Sequence, residues 1–197
     1  MFRIEICGGI ASGKTSLAKL LEENNFGSVI YEDFHSNPFW KAFYERPGEY
    51  IFETELTFTL QHYHDIKKQQ NNDLLICDYS LLLDLAYANI GLKETKLKLY
   101  HEFLKEIYSD ISQSHLYIYL KCSENIELQR IKNRNRAVEN NIQLDFLLKL
   151  NNELLSNIKK LSPPHILMIN SERYDYINNE RDKKEVLSVV KEMILNG

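Results

Sequence analysis

Near the amino end, the residues GGIASGKT, Gly8 to Thr15, set mostly small side chains ahead of a lysine and a threonine in the spacing GxxxxGK[ST]. That spacing suits the holding of phosphates. Glycines let backbone N–H groups wrap anionic oxygens, Lys14 can reach the β and γ phosphates, and the Thr15 hydroxyl can hold Mg²⁺. Such a loop needs a strand before it and a helix after it, and the apolar run from Phe2 to Cys7 and the helical pattern from Gly13 to Asn25 meet that need. The helix would aim its positive end at the same anion. Gly8, Gly9, Ile10, Ala11, Ser12, Gly13, Lys14, Thr15 and Ser16 are therefore the expected cradle for ATP. A mere glycine-rich turn is the plain alternative, and the loop alone does not separate a kinase from a hydrolysing switch or a motor.

Acids at the ends of apolar runs carry the next chemistry. LLICDYS delivers Asp78 as a buried strand would, to the edge where an acid helps hold Mg²⁺, usually through water. Asp is also a favoured helix N-cap, and both roles can hold together. SVIYED ends the second short run in Glu32, with Asp33 as its rival. A carboxylate there can take the proton of an attacking hydroxyl as general base; a surface acid is the alternative. In LQRIKNRNRAVENN, Arg130 and Arg134 share one helical face and Arg136 follows. Planar guanidinium forks suit the spread charge of a phosphoryl group in transfer. An RNA-binding basic helix would read similarly, but the net charge of −4 and the lack of interleaved aromatics weigh against it.

The elements that must position these residues are legible as alternation. Strand candidates at Phe2–Cys7, Ser28–Tyr31, Leu74–Cys77, His115–Leu120 and Ile166–Ile169 alternate with helical patterns at Gly13–Asn25, Gly48–Gln70, Ser80–Asn89, Lys93–Ser112, Asn125–Asn133, Leu144–Lys160 and Lys183–Leu195. Short apolar runs between amphipathic helices predict an α/β fold, a five-stranded parallel sheet with helices on both faces. The Pro163–Pro164 pair is expected to punctuate the entry to the last strand. At 197 residues, one domain over 1–197 is expected. Hydrophobic residues at 44% and charged ones at 26% exclude a disordered chain, and no apolar run reaches the ~18 residues of a membrane span. The opening MFRIEICGG has no secretory-signal pattern, so the mature chain is expected to begin there. Cys7, Cys77 and Cys122 are scattered without metal or redox spacing, which fits small buried residues and a reducing, cytoplasmic setting.

GGIASGKT, YEDFHSNPFWKAFYERPGEY, FETELTFTLQHYHDI, ICDYSLLLDLAYANI and RIKNRNRAVE occur in an order and spacing that resembles the bacterial deoxynucleoside kinases, a P-loop NTPase family, over nearly the whole chain. The DYS triplet looks like the deoxyadenosine kinase-like branch. The resemblance implies transfer of the γ-phosphoryl of ATP to the 5′-hydroxyl of a deoxynucleoside, deoxyadenosine favoured, for nucleotide salvage. It implies Glu32 as catalytic base and Tyr44 on the sugar 3′-hydroxyl. Glu55 falls where the family reads the nucleobase, and His62 where many relatives have an arginine. Asp84 and Tyr87 fall on the helix that approaches the base, with packing a second role for Tyr87. Arg130, Arg134 and Arg136 fall in an arginine-rich lid of about 130–140, with Glu139 touching the 3′-hydroxyl, and MINSERYDYINNERD in the loop that encloses adenine. A homodimer that pairs through helices is implied, with Lys93–Ser112 as a candidate surface, and no nucleic-acid or membrane partner. Tyr79 departs from the arginine usual after the acid in the wider family, which leaves Glu32 without an identified cationic partner.

An argument independent of the family concerns Glu55. An ionised glutamate only accepts hydrogen bonds, so it should favour adenine, cytosine or guanine, which offer amino or ring N–H donors, over thymine. A kinase for another small alcohol, such as a ribonucleoside, and a non-catalytic nucleotide-binding module are the competing functions.

Overall fold

Five strands, β1 (Phe2–Cys7), β2 (Ser28–Ile30), β3 (Leu74–Cys77), β4 (Leu116–Lys121) and β5 (Ile166–Asn170), form one parallel sheet in the order β2-β3-β1-β4-β5. The structure is a computed structural model that describes residues 1–112, 114–161 and 166–196, with Asn196 alone described by its backbone only; the expected proline turn at 163–164 lies outside these. Register is set from the centre, with Phe2 opposite Leu74 and Ile4 opposite Leu116.

Both faces of the sheet are covered, which explains why the strands are apolar at successive positions. On one face Ile4, Ile6 and Ile118 are fully buried against Leu17 and Leu21 of α1 (Lys14–Glu23) and Val190 of α8 (Glu180–Asn196). On the other, Cys7, Tyr117 and Tyr119 pack on Leu82 and Leu83 of α4 (Leu81–Gly91) and Leu147 and Leu150 of α7 (Leu144–Lys159). Between them in sequence lie α2 (Trp40–Glu45), α3 (Pro47–Lys68), α5 (Glu94–Ile111) and α6 (Glu124–Arg134). All three cysteines are free and buried at or just beyond strand ends.

The sheet is as expected from the alternation; the differences lie at boundaries. Strand β2 stops at Ile30, and α8 starts at Glu180 because the Asn179 side chain accepts from the N–H groups of Arg181 at 3.0 Å and Asp182 at 3.3 Å, an N-cap. Helix α2 has no counterpart in the sequence reading. Its six residues are too few to show a period, and Pro47 at the start of α3 separates it from the long helix.

One buried pair breaks the apolar rule for strands. Arg3 and Glu5, on the α4 side of β1, form an ion pair at 3.1 Å with side chains 1% and 0% exposed. The Arg3 guanidinium also donates to the carbonyls of Ile111 at 2.9 Å and Ser112 at 2.7 Å, closing the end of α5. Glu5 accepts from the Leu81 N–H at 3.0 Å, so the central strand is pinned to the start of α4. Every polar group of the pair finds a partner, the condition for burying charge without a heavy cost. Among the described residues no helix is long and apolar enough to cross a membrane.

Candidate active site

The carboxyl edge of the sheet opens into a cavity of about 730 Å³. Ile10, Ala11, Gly13, Lys14, Thr15 and Ser16 of the phosphate loop line its floor, while Gly8, Gly9 and Ser12 shape the loop from behind. Gly13 holds φ +109°, and a Cβ there would stand 2.5 Å from the Tyr176 hydroxyl, so glycine is required twice over. Gly9 is needed for another reason: a Cβ would meet Glu127 Oε1 at 2.2 Å and Asn151 Oδ1 at 2.3 Å. The Lys14 ammonium folds back on the carbonyls of Gly8 at 3.1 Å and Gly9 at 3.0 Å, ready at the loop's centre.

Asp78 follows β3 directly and reaches the same floor. Its Oδ1 is buried without a hydrogen-bond partner among the described residues. Burial pushes the carboxyl up to about 7, against the pull of the Thr15 hydroxyl and the Lys14 charge. An orphaned buried carboxylate oxygen beside a threonine hydroxyl is a donor set that fits Mg²⁺. The N-cap alternative for Asp78 does not hold, because Ser80 caps α4 through its side chain, accepting from the Leu82 N–H at 3.1 Å. Asp33, the rival of Glu32, is likewise spent on a turn. It accepts from the His35 N–H at 3.1 Å and the Ser36 hydroxyl, and it does not line the main cavity, whereas Glu32 does.

The far half of the cavity collects Tyr44 from α2, Glu55 from α3, Asp84 and Tyr87 from α4, and Glu139. Tyr87 serves both packing and lining, with its ring 6.2 Å from Phe43 and 6.0 Å from Phe146. Glu55 is 3% exposed. Burial, then the carboxylates of Asp84 and Glu32, hold it well above the usual carboxylate range. The protonated acid is thereby favoured, and it donates as well as accepts. The acceptor-only reading of Glu55 therefore applies above that raised value; below it the side chain presents the same pattern as a glutamine.

The arginines are divided among partners. Arg130 donates to the carbonyls of Ser12 at 3.2 Å and Ser171 at 2.7 Å, stapling the phosphate loop to the segment after β5. Arg134 grips Glu139 with two bonds of 2.7 and 2.6 Å. Arg136 lies 3.5 Å from the same glutamate and 4.4 Å above the Phe34 ring. All three line the cavity, as do Ser171 and residues 172–177 of the expected adenine loop. His62 does not line it; it is buried behind the wall, 3.8 Å from Glu32.

Glu127 and Asn151 were not singled out by the sequence. Asn151 donates to Glu127 Oε2 at 2.9 Å, yet Glu127 Oε1 and Asn151 Oδ1 both lack partners among the described residues and crowd the same point beneath Gly9. Burial pushes Glu127 up to about 7, and a proton on it supplies the donor that Asn151 Oδ1 lacks. No motif marks this pair, since its function is to support a loop through shape.

Residues 4–195 match a family model described as deoxynucleoside kinase. A deoxyguanosine kinase of Bacillus subtilis is 27% identical over 98% of this chain and 97% of its own length. A deoxyadenosine kinase of Lactobacillus acidophilus is also 27% identical, over 97% of this chain and 95% of its own. Among solved structures, the deoxyadenosine kinase of M. mycoides with products dCMP and dCDP superposes with a TM-score of 0.82 at 18% identity, covering 97% of this chain and all of that one. The same M. mycoides enzyme with bound dATP gives a TM-score of 0.80.

Proposed function

We propose, for a chain that belongs to the deoxynucleoside kinase family, that it transfers the γ-phosphoryl of ATP to the 5′-hydroxyl of a deoxynucleoside, with deoxyadenosine favoured. The observation that carries this is the meeting, in one cavity, of phosphate-holding groups and a separate acceptor half. Backbone N–H groups of Gly8 to Ser16 and the Lys14 ammonium receive the ATP phosphates. Thr15 and Asp78 would hold Mg²⁺, which when bound offsets charge on the phosphate oxygens. Glu32 takes the proton of the 5′-hydroxyl as it attacks. Tyr44 and Glu139 receive the sugar 3′-hydroxyl, while Glu55, Asp84 and Tyr87 face the base. Neutral Glu55 can donate to adenine N1 and accept from its N6 amino group, the two-point pairing of a glutamine.

Arg130, Arg134 and Arg136 neutralise charge as the lid of about 130–140 closes, and residues 171–177 enclose the adenine of ATP. The reading takes 1–197 as one domain working in nucleotide salvage in a reducing, cytoplasmic setting, consistent with three free cysteines. It takes the working unit as a homodimer, supported by the exposed Leu99 on α5.

Direct measurement of monophosphate formation from Mg·ATP and deoxyadenosine, deoxyguanosine, deoxycytidine, thymidine and adenosine tests the assignment. A deoxynucleoside is expected to react well ahead of adenosine, and Glu32→Gln to bind ATP while losing turnover by about 100-fold or more. Faster reaction of adenosine would make the chain a ribonucleoside kinase, and ATP binding with no acceptor turned over would make it a non-catalytic module.

A further inference from the structure

His62 stands outside the main cavity, yet carboxylates meet it on both edges of its ring. The side chain is 3% exposed on α3. Its Nδ1 lies 2.8 Å from Asp84 Oδ2, and its Nε2 lies 3.8 Å from Glu32 Oε1 with no hydrogen-bond partner among the described residues. The Tyr79 ring lies flat on the imidazole, with centroids 3.8 Å apart and planes 9° apart, fixing the ring plane.

The donor inventory settles which form of the ring fits. An ionised carboxylate only accepts, so Nδ1 next to Asp84 must carry a proton. In a neutral imidazole Nε2 would then present a lone pair, and a lone pair facing the Glu32 carboxylate is repulsive. With both nitrogens protonated, each edge of the ring offers a donor to an acid. We propose that His62 is a positioning residue for the general base, an imidazolium held by Asp84 that keeps the Glu32 carboxylate turned toward the acceptor hydroxyl. This rests on the reading of Glu32 as the base. At 3.8 Å the contact is an ion pair, longer than a hydrogen bond. Tyr79, standing where an arginine would serve Glu32, brings no charge; it shelters a cation that arrives from α3 instead.

The acids around His62 come from several elements. Asp84 of α4, Glu32 after β2 and Glu5 of β1 all act on it, and a second, small cavity on its other side holds Asp33, Asp65, His64 and Tyr31. Burial pulls the imidazole down, but Asp84 and Glu32 outweigh it, so the charge persists to higher pH than in a free imidazole. It is lost as pH rises through that raised value.

Nitrogen-15 NMR of the histidines in the wild type and in Glu32→Gln, beside pH–rate profiles of His62→Gln and His62→Arg, tests the proposal. His62 should titrate at lower pH in E32Q, and the wild-type kcat should fall at high pH along the same curve. H62Q should lose about tenfold in kcat with KM for ATP within about twofold, while H62R should recover kcat and show no such fall, because a guanidinium does not titrate there. If H62Q fails to fold, the titration of His62 in wild type and E32Q decides. An unchanged His62 titration in E32Q, or wild-type kcat in H62Q, overturns the proposal. If His62 does shift but E32Q turns over normally, the ion pair is real and Glu32 is not the base, so the failure lies in the functional reading beneath it.

Discussion

Each acid at this site is set apart by what surrounds it. Asp78 has an unpartnered buried oxygen, Glu32 faces both the cavity and His62, and Glu55 is buried among other carboxylates. For Glu55 the consequence is testable. Its folded-state pKa is raised, so the proton that lets it donate to adenine is present at low pH and lost as pH rises through the raised value. Glu55→Gln, which cannot lose that donor, should stay within about threefold of wild type for deoxyadenosine at low pH, while Glu55→Ala should lose about tenfold in kcat/KM. The ratio of E55Q to wild-type kcat/KM for deoxyadenosine should then climb with pH; a ratio flat and well above one would mean that Glu55 is ionised throughout, and a ratio flat near one that it stays protonated. The types and spacing of Lys14, Thr15, Asp78 and Glu32 were legible in the chain because loop and strand ends deliver them locally. The raised pKa of Glu55 was not, since it depends on burial and on Asp84 and Glu32, which only the fold brings near. His62 was hidden likewise, its partners lying on α4 and after β2.

At the scale of elements, the sheet could be read from alternation because the central strands β1, β3 and β4 are buried on both faces and each long helix shows a period. What escaped were features too short or too unlike their surroundings. Helix α2 is six residues, and the Arg3–Glu5 pair sits in a strand that otherwise reads as apolar. Glu127 on α6 and Asn151 on α7 press on Gly9, so two helices fix the height of the phosphate loop. Gly9→Ala would drive a methyl into both side chains, and the loop or the pair must move. Loss of about tenfold or more in ATP affinity is expected, read by calorimetry, with the fold retained. Glu127 also gives a pH signature. Its pKa is raised from 4.5 to about 7, so between those values the folded state binds more protons than the unfolded one, and stability falls as pH rises. Removing the titration in Glu127→Gln should flatten that fall and stabilise the protein at pH 8 by up to about 3 kcal/mol, the limit set by the size of the shift. Parallel melting curves of wild type and E127Q across pH 5–8 would discard this account.

Seen as a whole molecule, the cavity draws on segments from Ile10 to Ile177, with α1, α2, α3, α4 and α6 and the loops that follow β1, β2, β3 and β5 forming its walls. Arg130 ties the phosphate loop to the segment after β5, and Arg134 with Arg136 gathers on Glu139, a buried acid beside the acceptor half. The Arg130 tie to Ser12 spans 118 positions of the chain, whereas the ties of Arg134 and Arg136 to Glu139 are local. A ligand that fills the cavity must therefore stabilise the fold globally, and by linkage a ligand at 100 times its Kd adds about 2.7 kcal/mol. For a chain of this length that corresponds to a rise in Tm of roughly 5–10 °C. Deoxyadenosine and Mg·ATP should each raise the melting temperature in a single cooperative step. Arg134→Ala leaves Glu139 with Arg136 alone, and its two short bonds lost should cost basal stability and also reduce the shift given by deoxyadenosine. Should R134A lower the basal Tm but keep the full ligand shift, Arg134 would be a structural brace for Glu139, with no part in closing the site over its substrate.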